Sequence, residues 1–175
     1  MNRLAVLSLE YEIKDGLYWE SMGWSNTTRT DNLTFVAHNN DIDGVLQSKS
    51  YYGYPLMIDT TSVTLSTEID VGEYIAVVSG EETLDEYECW KCKIGSQTTV
   101  FYEVATRLLI GSRSLINGTT DYTDWMTTKN ITLIDFRTDF IEEIYPATSG
   151  ILISGVFLEL AAVAWLLGNR YKSPE

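Results

Sequence analysis

Every second residue from position 5 to position 13 is apolar: Ala5, Leu7, Leu9, Tyr11 and Ile13 alternate with Val6, Ser8, Glu10 and Glu12. In an extended chain successive side chains point to opposite faces, so this spacing gives one continuous apolar face and one largely polar face. It predicts a half-buried strand whose odd residues face inward. The same alternation recurs over 62–69, Ser-Val-Thr-Leu-Ser-Thr-Glu-Ile. Runs rich in apolar and β-branched residues predict further strands over 33–38, 45–51, 56–60, 73–79, 87–94 and 131–136. Turn signals punctuate them. Asp15-Gly16 predicts a tight hairpin turn ahead of Leu17-Tyr18-Trp19, Gly53-Tyr54-Pro55 a second turn, and Asn117-Gly118 a third. The polar stretch 23–32 reads as a loop. Between 100 and 108, Val100, Val104 and Leu108 fit a helix, whereas Val100, Tyr102 and Val104 fit a strand; the strand is preferred, with a bend at Gly111. Residues 138–145 read as a short helix.

The run 150–168, Gly-Ile-Leu-Ile-Ser-Gly-Val-Phe-Leu-Glu-Leu-Ala-Ala-Val-Ala-Trp-Leu-Leu-Gly, holds one charge, Glu159. Thr148 and Ser149 suit an N-cap, Gly168 suits the left-handed residue after a helix, and Arg170 and Lys172 lie near the negative end of its dipole. These signals predict a long apolar helix, about 28 Å long at the usual rise per residue and close to the thickness of a bilayer core. A spanning helix would carry Glu159 at its midpoint at a cost of roughly 2–3 kcal/mol. The N-terminal segment has no apolar core long enough for an export signal. Burial against protein is therefore the preferred reading, with Ile151, Ile153, Phe157, Glu159 and Trp165 as interface residues. The expected architecture is mainly β, an antiparallel sandwich or barrel-like domain over 1–145, with a C-terminal apolar α-helix and short basic tail over 146–175.

The chain has 175 residues and a formal net charge of −13. That charge argues against a face that recognises nucleic acid or anionic lipid. Only two cysteines occur, Cys89 and Cys92, as Cys-Trp-Lys-Cys. A structural zinc site needs four ligands, and His38 is the sole histidine, so the pair is read as two reduced thiols. The sequons at Asn26, Asn32, Asn117 and Asn130 are read as coincidence in a Thr-rich chain.

One stretch resembles half of a calcium loop. Asn39, Asp41 and Asp43 place oxygens at alternate positions ahead of Gly44, but Ser50 stands where a bidentate Glu is expected. These three are weak calcium candidates, and no cofactor is expected. Catalytic signatures are missing: the sequence has no phosphate loop, no nucleophile elbow and no His–Asp pairing. Carboxylate pairs such as Glu10 with Glu12, or Asp135 with Asp139, are what any chain with 25 acidic residues would show. Trp19, Trp24, Tyr51, Tyr52 and Tyr54 would suit stacking on sugars, although such residues more often anchor protein interfaces.

The function expected from these features is a non-enzymatic structural subunit of a larger assembly: a virion component such as a phage tail or head–tail connector protein, making homo-oligomeric contacts among its protein partners. The alternatives are a single-pass subunit of a membrane complex anchored by 150–168, and a carbohydrate-binding surface module; a carboxylate hydrolase comes last.

Overall fold

The computed structural model describes residues 3–19, 23–59, 62–120 and 123–141. In chain order they form β1 (Leu4–Trp19), β2 (Gly23–His38), α1 (Ile42–Gln47), β3 (Ser50–Tyr51), β4 (Tyr54–Pro55), β5 (Glu68–Asp70), β6 (Ile75–Leu84), β7 (Tyr87–Ile94), β8 (Thr98–Glu103), β9 (Leu109–Thr120) and β10 (Thr123–Ile141). Eight strands make one antiparallel sheet in the order β2-β1-β10-β9-β8-β7-β6-β5, and β3 pairs with β4 in a separate two-stranded piece. Strands β5 to β10 form a meander. The N-terminal strand β1 then lies against β10 on one side and β2 on the other.

The antiparallel β expectation holds, with two corrections. A barrel would require β2 to meet β5, but these lie at opposite ends of the strand order. Leu46 of α1, Tyr51 of β3, and Leu56, Met57, Ile58 and Val71 from the connecting segments share one buried cluster with the strand residues. The long C-terminal apolar helix is not part of the architecture the described residues form. Their one helix is the six-residue α1, and none is long and apolar enough to cross a membrane. The segment 150–168, with Ile151, Ile153, Phe157, Glu159 and Trp165, lies outside the described residues.

The alternation in β1 is realised as expected. Ala5, Leu7, Leu9, Tyr11 and Ile13 are all buried, whereas the intervening residues are only partly so. Several local signals lose to tertiary pairing. Asp15-Gly16 makes no turn: β1 continues to Trp19, and Gly16 is matched with Asn26 on β2 and Thr128 on β10. Ladders on both sides outweigh a two-residue turn preference. The polar stretch 23–32 is the first part of β2, polar because an edge strand meets solvent on both faces there. Asn117-Gly118 sits within β9, opposite Met126 and Trp125. Of the strand expected at 45–51, only Ser50–Tyr51 is extended, because α1 occupies Ile42–Gln47. Of the strand expected at 56–60, the described residues 56–59 contribute a single bridge, Met57 to Leu108, and of the 62–69 run only Glu68 and Ile69 are strand. Residues 138–141 extend β10 instead of starting a helix, and 142–145 lie outside the described residues.

Three irregularities break the register: between Glu10 and Tyr11 against β10, between Val78 and Gly80 against β7, and between Phe101 and Tyr102 against β9. Such bulges bend a strand and re-aim its side chains. Gly111 lets β9 and β10 approach closely, since a Cβ there would collide with the carbonyl oxygen of Ile131.

Candidate functional site

The densest grouping of polar and aromatic side chains lies where the β3–β4 hairpin covers β1, β2 and β10. Tyr11 on β1 stacks on Tyr51 with ring centroids 4.7 Å apart and an interplanar angle of 25°. Its hydroxyl donates to the Leu109 carbonyl at 2.8 Å, while the Tyr51 hydroxyl donates to Asp31 Oδ2 at 2.8 Å. Tyr52 meets Tyr51 edge-on at 4.8 Å. Its ring also carries two cations: Lys129 Nζ is 4.5 Å from the centroid and the Arg29 guanidinium 5.9 Å. Asp15 lies within 3.9 Å of both Arg29 and Lys129. Its Oδ1 is buried and has no hydrogen-bond partner among the described residues.

The hairpin that delivers these rings is backbone-driven. Tyr52 and Gly53 have φ of 52° and 83°. Two successive positive values mark the turn whose twist suits a two-residue hairpin. Glycine accepts that conformation freely; a tyrosine does so at a cost of about 1–2 kcal/mol. The cations over the Tyr52 ring and its contact with Tyr51 offset that cost.

The titration behaviour is that of a packed core. Burial pushes the Tyr11 and Tyr102 hydroxyls far above the usual phenol range, with Tyr51 adding to the effect at Tyr11. Tyr51 is raised too, first by burial and then by its bond to Asp31. Both cysteines are buried, on opposite faces of β7 by strand parity, and burial raises Cys89 to about 11 and Cys92 to about 12. A thiol so raised is a poor nucleophile.

Asn39 and Asp41 lie in the turn between β2 and α1, while Asp43 is in the first turn of α1. Helical geometry rotates successive residues by about 100°, which spoils the alternate-residue convergence a calcium loop needs. Among the described residues no group of three or more His, Cys, Asp or Glu is placed to hold a metal ion. The carboxylates named in the sequence either bond cations or share one groove. Glu12 bonds Lys14 at 2.6 Å and Asp135 bonds Arg137 at 2.7 Å. Glu10 faces Asp135 across the β1–β10 seam, and both line a shallow polar groove of about 280 Å³ with Ser8, Asn32, Thr34 and Asp139. Tyr51, Tyr52 and Tyr54 do converge, but they pack on one another, on cations and on the core, and offer no open stacking platform. The side chains of Trp19 and Trp24 lie outside those described.

Two features escaped the sequence reading. The half of β10 beyond Thr132 has no β9 partner and exposes Ile134, Phe136, Phe140 and Ile141, at 48%, 38%, 52% and 47%. Phe136 helps line a cleft of about 310 Å³ with Ile42, Leu46, Met57, Leu108 and Arg107. The other feature is the outer edge of β2, unpaired among the described residues along sixteen positions. The alternation of 131–136 could have revealed the first, had it been followed past Phe136. Polarity concealed the second.

Compared with protein-family models, curated proteins and solved structures, the chain matches none of them.

Proposed function

We propose that this protein is a non-enzymatic structural subunit of a larger assembly, and that the assembly is a virion part such as a phage tail or head–tail connector. The observation that carries the reading is the exposure of large apolar side chains along β10, Phe136 and Phe140 on the face of Leu9 and Ala5 with Ile134 and Ile141 elsewhere on the strand, in the half that has no β9 partner among the described residues. Exposed apolar side chains grouped along one element mark association surfaces. The distribution of polarity supports it. The groups with strongly raised pKa, namely Tyr11, Tyr51, Tyr102, Cys89 and Cys92, hold their protons inside the core, where they serve packing and not acid–base chemistry. The virion assignment rests on size, β content and acidity together, as an analogy of kind.

A net charge of −13 per copy sets the test. Repulsion between copies weakens as salt screens it, so association of the purified full chain strengthens with ionic strength. Light scattering across a salt series reads this directly. A monodisperse monomer at every salt concentration and at high protein concentration would overturn the reading.

A further inference from the structure

The two ends of the sheet are built differently. β5 is three residues long, which leaves little edge to template a foreign strand. β2 runs for sixteen residues, contains no proline, and keeps an unbroken register with β1 from Leu4–His38 to Trp19–Gly23. Of the usual protection it has neither a bulge, nor a lysine, nor a covering strand among the described residues. Its charged side chains are Arg29 and Asp31, on the same face, with Arg29 Nε and Asp31 Oδ1 3.7 Å apart and side chains 52% and 36% exposed.

The position of those two charges says what fits the edge. Strands from two copies related by a two-fold axis perpendicular to the sheet pair antiparallel, and each residue faces one of the same parity, so that like faces continue. With the axis at Thr30, Arg29 stands opposite the partner subunit's Asp31, and Asp31 opposite the partner subunit's Arg29. One register step either way places Arg29 against itself or Asp31 against itself. Opposite charges across a strand pair stabilise and like charges destabilise, so charge selects the Thr30 register. In that register 23–37 of both copies pair without interruption. Thr28 meets Asn32 and Asn26 meets Thr34, pairs able to hydrogen-bond across strands.

We infer that β2 is a homodimerisation edge: two copies join antiparallel about Thr30 and fuse their sheets into one. This rests on the reading of the protein as an assembly subunit and names the surface that would be used.

The test is cross-linking on the full chain. Cys89 and Cys92 are buried, so an introduced thiol is the accessible one. Thr30→Cys should give a covalent dimer on mild oxidation or with a short bis-maleimide. Asn26→Cys alone should not, because its counterpart sits eight positions away, about 26 Å along the strand. Asn26→Cys mixed with Thr34→Cys should cross-link as the heterodimer. As a second arm, Arg29→Asp should dissociate the pair and Arg29→Asp with Asp31→Arg should restore it. Equal cross-linking at Asn26 and Thr30, or none at Thr30 while wild-type chain still associates, would overturn the edge proposal and leave the assembly reading standing. A monomeric wild-type chain would sink both.

Discussion

Tyr11→Phe isolates one hydroxyl at the centre of the fold. Tyr11 is fully buried, and its hydroxyl is bound to the Leu109 carbonyl at 2.8 Å. The substitution leaves the ring and its stacking on Tyr51 in place but strips the carbonyl of this donor. A buried group left short of a partner costs about 1–3 kcal/mol. We expect a loss of about 2 kcal/mol at pH 7, roughly 4–8 °C in Tm for a domain of this size. The pH dependence makes the prediction sharper. The folded-state pKa of Tyr11 is raised above its unfolded value near 10, so its neutral form contributes stability that is fully present below about pH 10 and lost as pH rises above it. Each such tyrosine steepens the alkaline loss by about 1.4 kcal/mol per pH unit. Tyr11→Phe removes one of these contributions. Its stability curve should therefore lie below wild type at neutral pH and converge on it between about pH 11 and 12. Urea denaturation at intervals from pH 7 to 11.5 measures both effects. Equal stability at pH 7, or parallel alkaline slopes, would show that the hydroxyl is not held as described.

Gly111→Ala should cost about 1–3 kcal/mol, because the added Cβ collides with backbone of β10 and not with a side chain that can rotate away; chemical denaturation checks it. Cys89 and Cys92 should resist a disulfide reagent in the native chain and react as two thiols only after denaturation; fast native labelling would contradict their burial. Glu82 is held below the usual carboxylate range by hydrogen bonds from Lys91 first and then Arg113, so its contribution is present above its unfolded pKa and fades as acid protonates it. Glu82→Gln should cost about 0.5–1 kcal/mol at pH 7 and less at pH 3, read by thermal melts at both values.

What the sequence made legible was the face of each strand more than its extent. The odd–even pattern of β1 put the right five side chains inside because period-two alternation survives any neighbour. Its length was misjudged because Asp15-Gly16 carries a strong local turn preference, and only the non-local ladders to β2 and β10 reveal that the strand continues. The first part of β2 hides for the complementary reason: an edge strand with solvent on both faces has no reason to alternate, so 23–32 looks like loop although 33–38 reads as strand. α1 was read as strand because Val45 and Leu46 are apolar, yet six residues are too few to display helical periodicity. The tyrosine grouping was partly visible, since Tyr51, Tyr52 and Tyr54 are near neighbours in sequence. Tyr11, Asp15, Arg29, Asp31 and Lys129 join them only through the sheet order.

The seam between β1 and β10 has a consequence for the order in which the protein can be made. Leu4 pairs with Ile141 and Trp19 with Trp125, so every contact along this seam spans roughly a hundred residues or more. On a ribosome adding about 5–20 residues per second, β1 and β2 emerge and must wait on the order of ten seconds for β10. Closing so large a loop costs about 4 kcal/mol of chain entropy, which local hairpins avoid. The meander from β5 onward forms from neighbours, while the first strand stays half-paired throughout, its inner edge as bare as the outer edge of β2. The nascent chain therefore passes through a stage in which both edges of the β1–β2 pair are open, and at that stage it most needs a holding chaperone or a neighbouring copy that has already folded.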